Sequence, residues 1–335
     1  MAIIKFSRKI SFLSYSAVGG YEEGRGSLGK KFDFIDTTDS FGQKTWELSE
    51  AEMTRSAVNI ALGKANISHS ELSFMVGGDL QNQCVASSIG AASFGVPFFG
   101  VYGACSTCTE SIVLLSSVLS LCRADTLGCA VTSSHNSAAE RQFRTPIEYG
   151  GQRNKSAQWT ATAAGAFILT NSELVKKPYV LEAMAGRIID GATKDAANMG
   201  PAMAFSAADT IISYFEESEF SPSDFDYIIT GDLGYAGSSV LCDILSDKLP
   251  MAAMRHIDCG TLLYNKNKQD THSGASGCGT SASALACHFL PMLSEGKIKR
   301  VLLLSTGALM SPSSIMQGQN IFGTAPLVHI CSPEI

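Results

Sequence analysis

The chain has 335 residues, of which 45% are hydrophobic and 17% charged, so it can form one large or two ordinary globular domains. Its net charge of -6, with no basic face, disfavours nucleic-acid binding. The ten cysteines are scattered through apolar segments, which is typical of a reducing compartment where buried thiols behave as small hydrophobic groups.

The chain opens with an extended segment over residues 1–20. Lys5, Arg8 and Lys9 give it a basic start, but serines interrupt its apolar residues, so a β-strand is favoured over a secretion signal. No run of about 18 apolar residues is apparent, so no membrane-spanning helix is expected. These features predict a cytoplasmic protein that reaches a membrane only through a partner.

The first half then alternates helices with apolar strands. A helix is predicted over residues 49–65 because Met53, Ala57 and Ile60 lie on one apolar stripe. The other elements of this half are predicted as strand 73–78, helix 110–121, strand 128–134 and strand 165–170.

The second half repeats this order of elements. Its predicted elements are helix 202–216, strand 226–230, helix 281–293, strand 301–306 and strand 325–330. The residues at matching element ends also correspond, Asp79 with Asp232 and Cys105 with Cys278. The sequence therefore predicts an α/β protein of two βαβαβ halves, residues 1–170 and 171–335, with mostly parallel strands.

Polar and thiol side chains cluster at the predicted strand ends and helix starts. In parallel sheets these ends gather at one edge, where ligands bind. We therefore expect one shared pocket, formed by Asp79, Cys105, His135, Asn136, Asp232, Cys278 and Gly307.

Cys105 is the strongest candidate because it follows the tight Gly103-Ala104 turn and begins a helix. The helix dipole at that position lowers the pKa of a thiol and favours a nucleophilic thiolate. Two other interpretations stay open. Cys105 could be a small buried residue, or it could pair with Cys108 as a C-x-x-C motif for thiol–disulfide exchange.

Other candidates carry weaker signals. The G-x-G-x-x-G run over residues 24–29 lacks a preceding buried strand and is predicted to be a surface loop rather than a dinucleotide site. His135 could be a structural histidine or a pocket residue. Arg141 and Arg144 suit carboxylate recognition, a solvated face or a subunit contact. No cysteine and histidine spacing closes a zinc site, and no cofactor is implied.

The motifs Gly103-Ala-Cys105-Ser-Thr, Gly78-Asp79-Leu, Thr132-Ser-Ser-His135-Asn136 and Ser276-Gly-Cys278 resemble those of the thiolase superfamily of condensing enzymes. The resemblance covers essentially the whole chain. Within the superfamily, the chain is similar to a branch from spore-forming bacteria. The resemblance implies a thiolase fold, in which the two halves stack as an αβαβα layered sandwich.

In this superfamily a cysteine carries the acyl chain, and a pair of second-half residues (His with His or Asn) assists the chemistry. Cys105 matches the nucleophile position. The second half departs from the pattern, since Gly231-Asp232-Leu233 and Gly277-Cys278-Gly279 stand where the paired residues are expected. Neither glycine nor cysteine supplies that base and oxyanion arrangement. His272 is a possible substitute.

For the sporulation branch, the resemblance implies binding in place of catalysis. Its members are understood to bind dipicolinic acid for uptake into the developing spore, together with membrane proteins of the stage V sporulation A operon. Dipicolinate is a flat dicarboxylate, which favours helix N-termini and arginine donors. If it binds as the calcium chelate, Asp79 and Asp232 could complete the oxygen shell of the metal.

Three functions therefore remain open from the sequence. The first is a dipicolinate-binding protein peripheral to the forespore inner membrane. The second is an acyl-CoA-dependent condensing enzyme with Cys105 as nucleophile. The third is a scaffold for membrane partners. A homodimer is expected by analogy with related folds.

Overall fold

The longest strand, β1 (Ile4–Gly19), crosses the centre of the molecule and confirms the extended segment predicted at the start of the chain. The structure is a computed structural model and describes residues 1–143, 153–172 and 176–333, without the side chains of residues 140–143.

The remaining strands are short. They are β2 (Phe34–Ile35), β3 (Leu72–Gly78), β4 (Phe98–Gly100), β5 (Leu127–Ser134), β6 (Trp159–Thr160), β7 (Ala163–Thr170), β8 (Tyr179–Met184), β9 (Ile189–Asp190), β10 (Tyr227–Thr230), β11 (His256–Asp258), β12 (Ala275–Ser276), β13 (Arg300–Leu304), β14 (Gly307–Leu309), β15 (Phe322–Thr324) and β16 (Leu327–Cys331).

Helices connect these strands. They are α1 (Tyr21–Arg25), α2 (Trp46–Ala65), α3 (Val85–Ala92), α4 (Thr107–Leu121), α5 (Asn136–Phe143), α6 (Met199–Glu217), α7 (Gly234–Lys248), α8 (Pro250–Arg255), α9 (Cys259–Leu263), α10 (Cys278–Ala284), α11 (Leu290–Ser294) and α12 (Pro312–Met316). A π-helical segment, Leu285–Phe289, joins α10 to α11. The four helices predicted from the sequence lie within or overlap α2, α4, α6 and the α10–α11 run.

The main sheet has the same strand order in both halves. Outward from the centre, the first half runs β1-β7-β5-β3-β4 and the second runs β8-β16-β13-β10-β11. The two halves join where residues Ile4–Ser11 of β1 pair antiparallel with β8. The internal repeat of the sequence is thus repeated in the topology of the sheet.

The expectation of mostly parallel strands was wrong. Parallel pairing joins β5, β3 and β4 in the first half and β13, β10 and β11 in the second. Antiparallel pairing joins the strands nearer the centre, from β5 through β7, β1, β8 and β16 to β13, while the short β2 pairs parallel with the end of β1. Sequence patterning cannot give strand direction, because a strand buried on both faces has the same apolar character in either orientation.

Three apolar clusters show how the layers stack. Alternate residues of a strand point to opposite faces, so Val76 of β3 contacts the cluster around α4 and α10 whereas Met75 contacts the cluster around α2. In the second half, Leu303 belongs to the α4 and α10 cluster and Leu302 to the cluster around α6 and α7. The central helices α4 and α10 therefore lie between the two half-sheets, and α2 and α6 cover the outer faces.

Residues 104–121 bear on the prediction that the chain has no membrane-spanning helix. Among the residues that the structure describes, this stretch is long and apolar enough by composition to cross a membrane. Most of its side chains are buried, however, because α4 packs in the central layer. These contacts are those of a core helix.

Candidate functional site

A tight turn places Cys105 directly before α4. Ala104 has a φ of 52°, a left-handed conformation that costs free energy for a residue other than glycine. The turn is closed by the amide of Ser106, which donates to the carbonyl of Gly103 at 3.0 Å, and by the hydroxyl of Thr107, which accepts from the amide of Gly103 at 3.1 Å. These bonds hold the turn in its strained shape.

The Cys105 thiol is 6% exposed and lies 3.9 Å from the hydroxyl of Ser276 in the second half. Burial, followed by the neighbouring carboxyl of Asp232, raises the pKa of Cys105 well above its usual value. The expectation that the helix dipole would favour a thiolate was therefore wrong. The dipole at α4 is present, but desolvation and a nearby negative charge outweigh it.

Asp232 organises the second-half side of this site. Its carboxylate accepts hydrogen bonds from the amide of Gly277 at 2.8 Å, the hydroxyl of Ser276 at 3.2 Å and the hydroxyl of Thr306 at 3.0 Å. Burial raises the pKa of Asp232 to about 6, although these hydrogen bonds oppose the shift. Near pH 7 the carboxylate is therefore charged and fully engaged by protein donors.

Cys278, the second-half residue that corresponds to Cys105, lies in the same apolar cluster as Cys105. This small cluster also contains Leu80 and Ala104. The Cys278 thiol is fully buried and donates to the carbonyl of Ser133 at 2.9 Å, and burial raises its pKa well above the usual value. The structure thus brings together Cys105, Cys278 and Asp232, three of the residues that the sequence assigned to one pocket.

Asp79 lies at the end of β3, with both carboxylate oxygens occupied. One accepts from the amide of Gln81 at 2.7 Å, and the other accepts from the amide and hydroxyl of Ser87 at 2.7 and 2.6 Å. The buried Glu50 lies nearby and accepts from the side chain of Gln81 at 2.6 Å. Burial, followed by the charge of Asp79, raises the pKa of Glu50 to about 8.

These contacts give Asp79 and Asp232 structural partners. Within the described residues, no group of three or more His, Cys, Asp or Glu side chains could hold a metal ion. The role of Asp79 and Asp232 as calcium ligands stays a prediction.

His135 and Asn136 lie at the end of β5, as expected from the sequence. His135 is fully buried, its Nε2 atom lies 2.8 Å from the carbonyl of Asp39, and its ring lies against Trp46. Burial lowers the pKa of His135, so the ring is neutral near pH 7. Asn136 donates from its side chain to the carbonyl of Thr160 at 3.1 Å. The contact of Nε2 favours the structural interpretation of His135, whereas its buried Nδ1 has no hydrogen-bond partner among the described residues.

Three further candidates are placed as follows. His272 contacts the carbonyl of Asn154 at 2.5 Å and the carboxylate of Asp270 at 2.9 Å. Arg141 lies in α5 with its side chain outside the described residues, and Arg144 lies outside them entirely.

The structure does not favour Cys105 and Cys108 as a redox pair, because the two side chains belong to different apolar clusters. Cys108 faces the central apolar cluster, and burial raises the pKa of its thiol to about 12. Cys105 belongs to a different cluster on the other side of the helix start. Both cysteines are free thiols.

The glycines over residues 24–29 serve close packing. A Cβ atom on Gly26 would overlap the carbonyl oxygen of Leu263, and one on Gly29 would overlap the carbonyl oxygen of Gly24. The segment therefore packs against the second half at Gly26, while Arg25 and Ser27 stay exposed as the surface-loop prediction expects.

Sequence reasoning missed Asp258, which holds the loop that carries Asp232. Its carboxylate accepts from the amides of Leu233 at 2.8 Å and Gly234 at 3.0 Å. Burial raises its pKa to about 7. The signal available was the position of Asp258 at the N-cap of α9, where an aspartate is favoured.

Stability is expected to fall as pH rises, because two fully buried carboxyls, Asp258 and Glu23, have pKa values raised to about 7. The folded state holds protons that the unfolded state has released by about pH 5, so this stabilisation is lost as pH rises through 7. We expect the free energy of unfolding, measured in urea, to drop by about 1–3 kcal/mol between pH 6.5 and 8. Glu23→Gln, which cannot ionise, should reduce the drop. An unchanged or rising stability over this interval would contradict the prediction.

Comparison with known proteins finds similarity in sequence to one protein family and similarity in fold to a set of solved structures. The family model of stage V sporulation protein AD matches residues 2–331. Stage V sporulation protein AD of Bacillus subtilis (strain 168) is 38% identical over 316 residues, which cover 94% of this chain and 92% of that protein.

The solved structures that resemble the fold are condensing enzymes. A variant of Xanthomonas campestris OleA superposes with a TM-score of 0.61 at 15% identity, covering 98% of this chain and 99% of that one. The 3-oxoacyl-[acyl-carrier-protein] synthase III of Aquifex aeolicus VF5 gives 0.56 at 15% identity, with 96% and 99% covered. The tetronic acid condensing enzyme AbyA1 gives 0.61 at 16% identity, with 96% and 99% covered. These likenesses establish the thiolase-like fold.

Proposed function

This chain belongs to the stage V sporulation protein AD family, and we propose that it is a non-catalytic binding protein of spore formation whose ligand is dipicolinic acid, free or as its calcium chelate. The observation that carries the proposal is the state of Cys105. A buried thiol with a raised pKa beside a carboxylate is a poor nucleophile.

The second half supports the same conclusion. The side chains that meet Cys105 there are Ser276, Asp232 and Cys278. Cys278 donates its thiol hydrogen to the carbonyl of Ser133, and Asp232 accepts three hydrogen bonds. Neither group is therefore positioned as the paired base and oxyanion donor that condensation needs.

A dicarboxylate requires positive potential in its site. The N-terminus of the 15-residue helix α4 supplies part of it beside Cys105. Arg141 belongs to α5, which starts at the end of β5. Arg144 is the residue that follows α5 in the sequence. We propose that these two arginines provide the carboxylate donors, since the guanidinium fork matches that geometry.

We also propose that the protein acts as a homodimer at the forespore inner membrane, held there by membrane proteins of the stage V sporulation A operon. The edge strand β4 pairs only with β3 within the described residues, and Phe99 on it is exposed. An unpaired apolar edge favours association with a second strand. Sedimentation velocity at two protein concentrations measures the oligomeric state.

Dipicolinate binding is tested by calorimetric titration of the parent protein and Cys105→Ala. We expect saturable binding to the parent and at least tenfold weaker binding to the variant, because we propose that the ligand binds at the helix start beside the thiol. Cys129→Ala is the matched control, since Cys129 is equally buried but belongs to the α2 cluster. Absence of binding to the parent would favour the scaffold function. Transfer of an acyl group from acyl-CoA to Cys105, detected by intact-mass spectrometry, would favour the condensing enzyme.

A further inference from the structure

A cavity of about 300 Å³ lies beside the start of α4, next to the Cys105 cluster, with which it shares Leu309. Its walls come from both halves of the chain and are largely apolar. The side chains that matter for the argument are Tyr102, Glu110, Leu114, Ile188, Leu309 and Pro326. Cys105 itself is not among the lining residues, although its neighbours Gly103 and Ser106 are, so the cavity adjoins the proposed dipicolinate site.

Glu110 is the one acidic group that lines this cavity within the described residues. Its Oε2 atom is buried and has no hydrogen-bond partner among them. The atom lies against the backbone of Gly103, where a Cβ would overlap it. Burial raises the pKa of Glu110. An unpaired buried carboxyl oxygen is costly to the fold, so a partner that enters the cavity gains by pairing with it.

The chemistry of the cavity restricts what that partner can be. An anion would meet the Glu110 carboxylate and, among the described lining residues, no lysine or arginine to offset it. A metal ion would find a single carboxyl, which is too few ligands for calcium or zinc. A positively charged group on a flexible apolar stem fits both features, because the stem packs on the walls and the charge meets Glu110.

We propose that the cavity receives a lysine side chain from a partner protein, presented by a segment with apolar residues next to that lysine. Leu114 and Ile188 are 41% and 58% exposed, so the cavity reaches the surface between apolar side chains that a partner segment can cover. The net charge of -6 complements a basic segment and disfavours an anionic lipid surface. This proposal does not depend on dipicolinate binding.

The test uses three tripeptides with blocked ends, Leu-Lys-Leu, Leu-Gln-Leu and Leu-Glu-Leu, titrated into the full chain and followed by NMR. We expect the lysine peptide to bind at least tenfold more tightly than the glutamine peptide, and the glutamate peptide to bind most weakly. Glu110→Gln should remove the preference for lysine. Glu52→Gln, an acid on the surface of α2 that pairs with Arg55, is the matched control and should preserve it.

A second variant guards against a folding effect of Glu110→Gln. Ile188→Lys adds a positive charge at an exposed position on the cavity mouth and should weaken the lysine peptide selectively. Equal binding of the three peptides, or no binding, would overturn the proposal. So would binding to neutral phosphatidylethanolamine vesicles that Glu110→Gln abolishes, because it would assign the cavity to a lipid ammonium group. Dipicolinate titration of Glu110→Gln should show binding at least as tight as that of the parent, because the substitution removes a nearby negative charge, and this separates the proposal from the preceding one.

Discussion

Replacing Gly307 with alanine is expected to lower the free energy of unfolding by about 2–4 kcal/mol and to disorganise the Cys105 turn. A Cβ at position 307 would overlap the carbonyl oxygen of Gly103 and lie 3.0 Å from the hydroxyl of Ser106. The contacted atoms belong to the backbone of a turn that already holds Ala104 in a left-handed conformation. Because that backbone is fixed by its own hydrogen bonds, it cannot move without breaking them.

Urea unfolding measures the loss of stability, and dipicolinate titration measures the effect on the site. Gly63→Ala is the matched control, since Gly63 lies in α2 and a Cβ there meets open space. That substitution should be neutral or stabilise the protein by about 0.5–1 kcal/mol. A Gly307→Ala protein as stable as the parent, with unchanged ligand binding, would show that the two halves do not meet as closely as described.

Replacing Asp232 with asparagine is expected to make Cys105 more reactive. The carboxylate of Asp232 is one of the causes of the raised pKa of Cys105, and asparagine removes its charge while preserving its size. A pKa decrease of one unit gives about a tenfold higher thiolate fraction at a fixed pH below the pKa. We therefore expect iodoacetamide to modify Cys105 about tenfold faster at pH 8 in the variant, measured on the Cys105 peptide by mass spectrometry.

Glu23→Gln is the control for this experiment. It removes a different buried carboxyl, one that accepts hydrogen bonds from Tyr264 and Thr162 and is not among the groups that raise the pKa of Cys105. Its Cys105 rate should equal that of the parent. An unchanged rate in Asp232→Asn would mean that burial alone controls the thiol. A fast rate in the parent would instead restore the condensing enzyme as a candidate function.

The two proposed ligands, dipicolinate and a partner lysine, require opposite electrostatic potentials at neighbouring sites. Dipicolinate needs positive potential at the start of α4, whereas Glu110, in the first turn of the same helix, makes the adjoining cavity acidic. A partner lysine in that cavity would also neutralise a negative charge near the dipicolinate site. Partner binding and ligand binding on this protein are therefore expected to support each other through charge.

The sequence by itself determined the opening strand, four of the helices, several strands and the repeat, but not α7 or β8. The apolar stripe of α2 and the long opening strand are local patterns that follow from the periodicity of backbone geometry. The correspondence of Cys105 with Cys278 is visible when one half of the sequence is compared with the other. It also indicated that Asp232 and Cys278 stand where the resemblance predicts the paired second-half residues, because residue identity at a motif is read directly.

Only the tertiary structure decided the strand directions, the state of the Cys105 thiol and the existence of the Glu110 cavity. Asp232 follows Cys105 by 127 residues (232 − 105), yet the two side chains are neighbours, and burial beside that carboxylate reverses the pKa shift expected from the helix dipole. The cavity likewise needs Glu110 from one half and Ile188 from the other. Desolvation and charge depend on which distant residues surround a group, and the chain's local pattern does not contain that information.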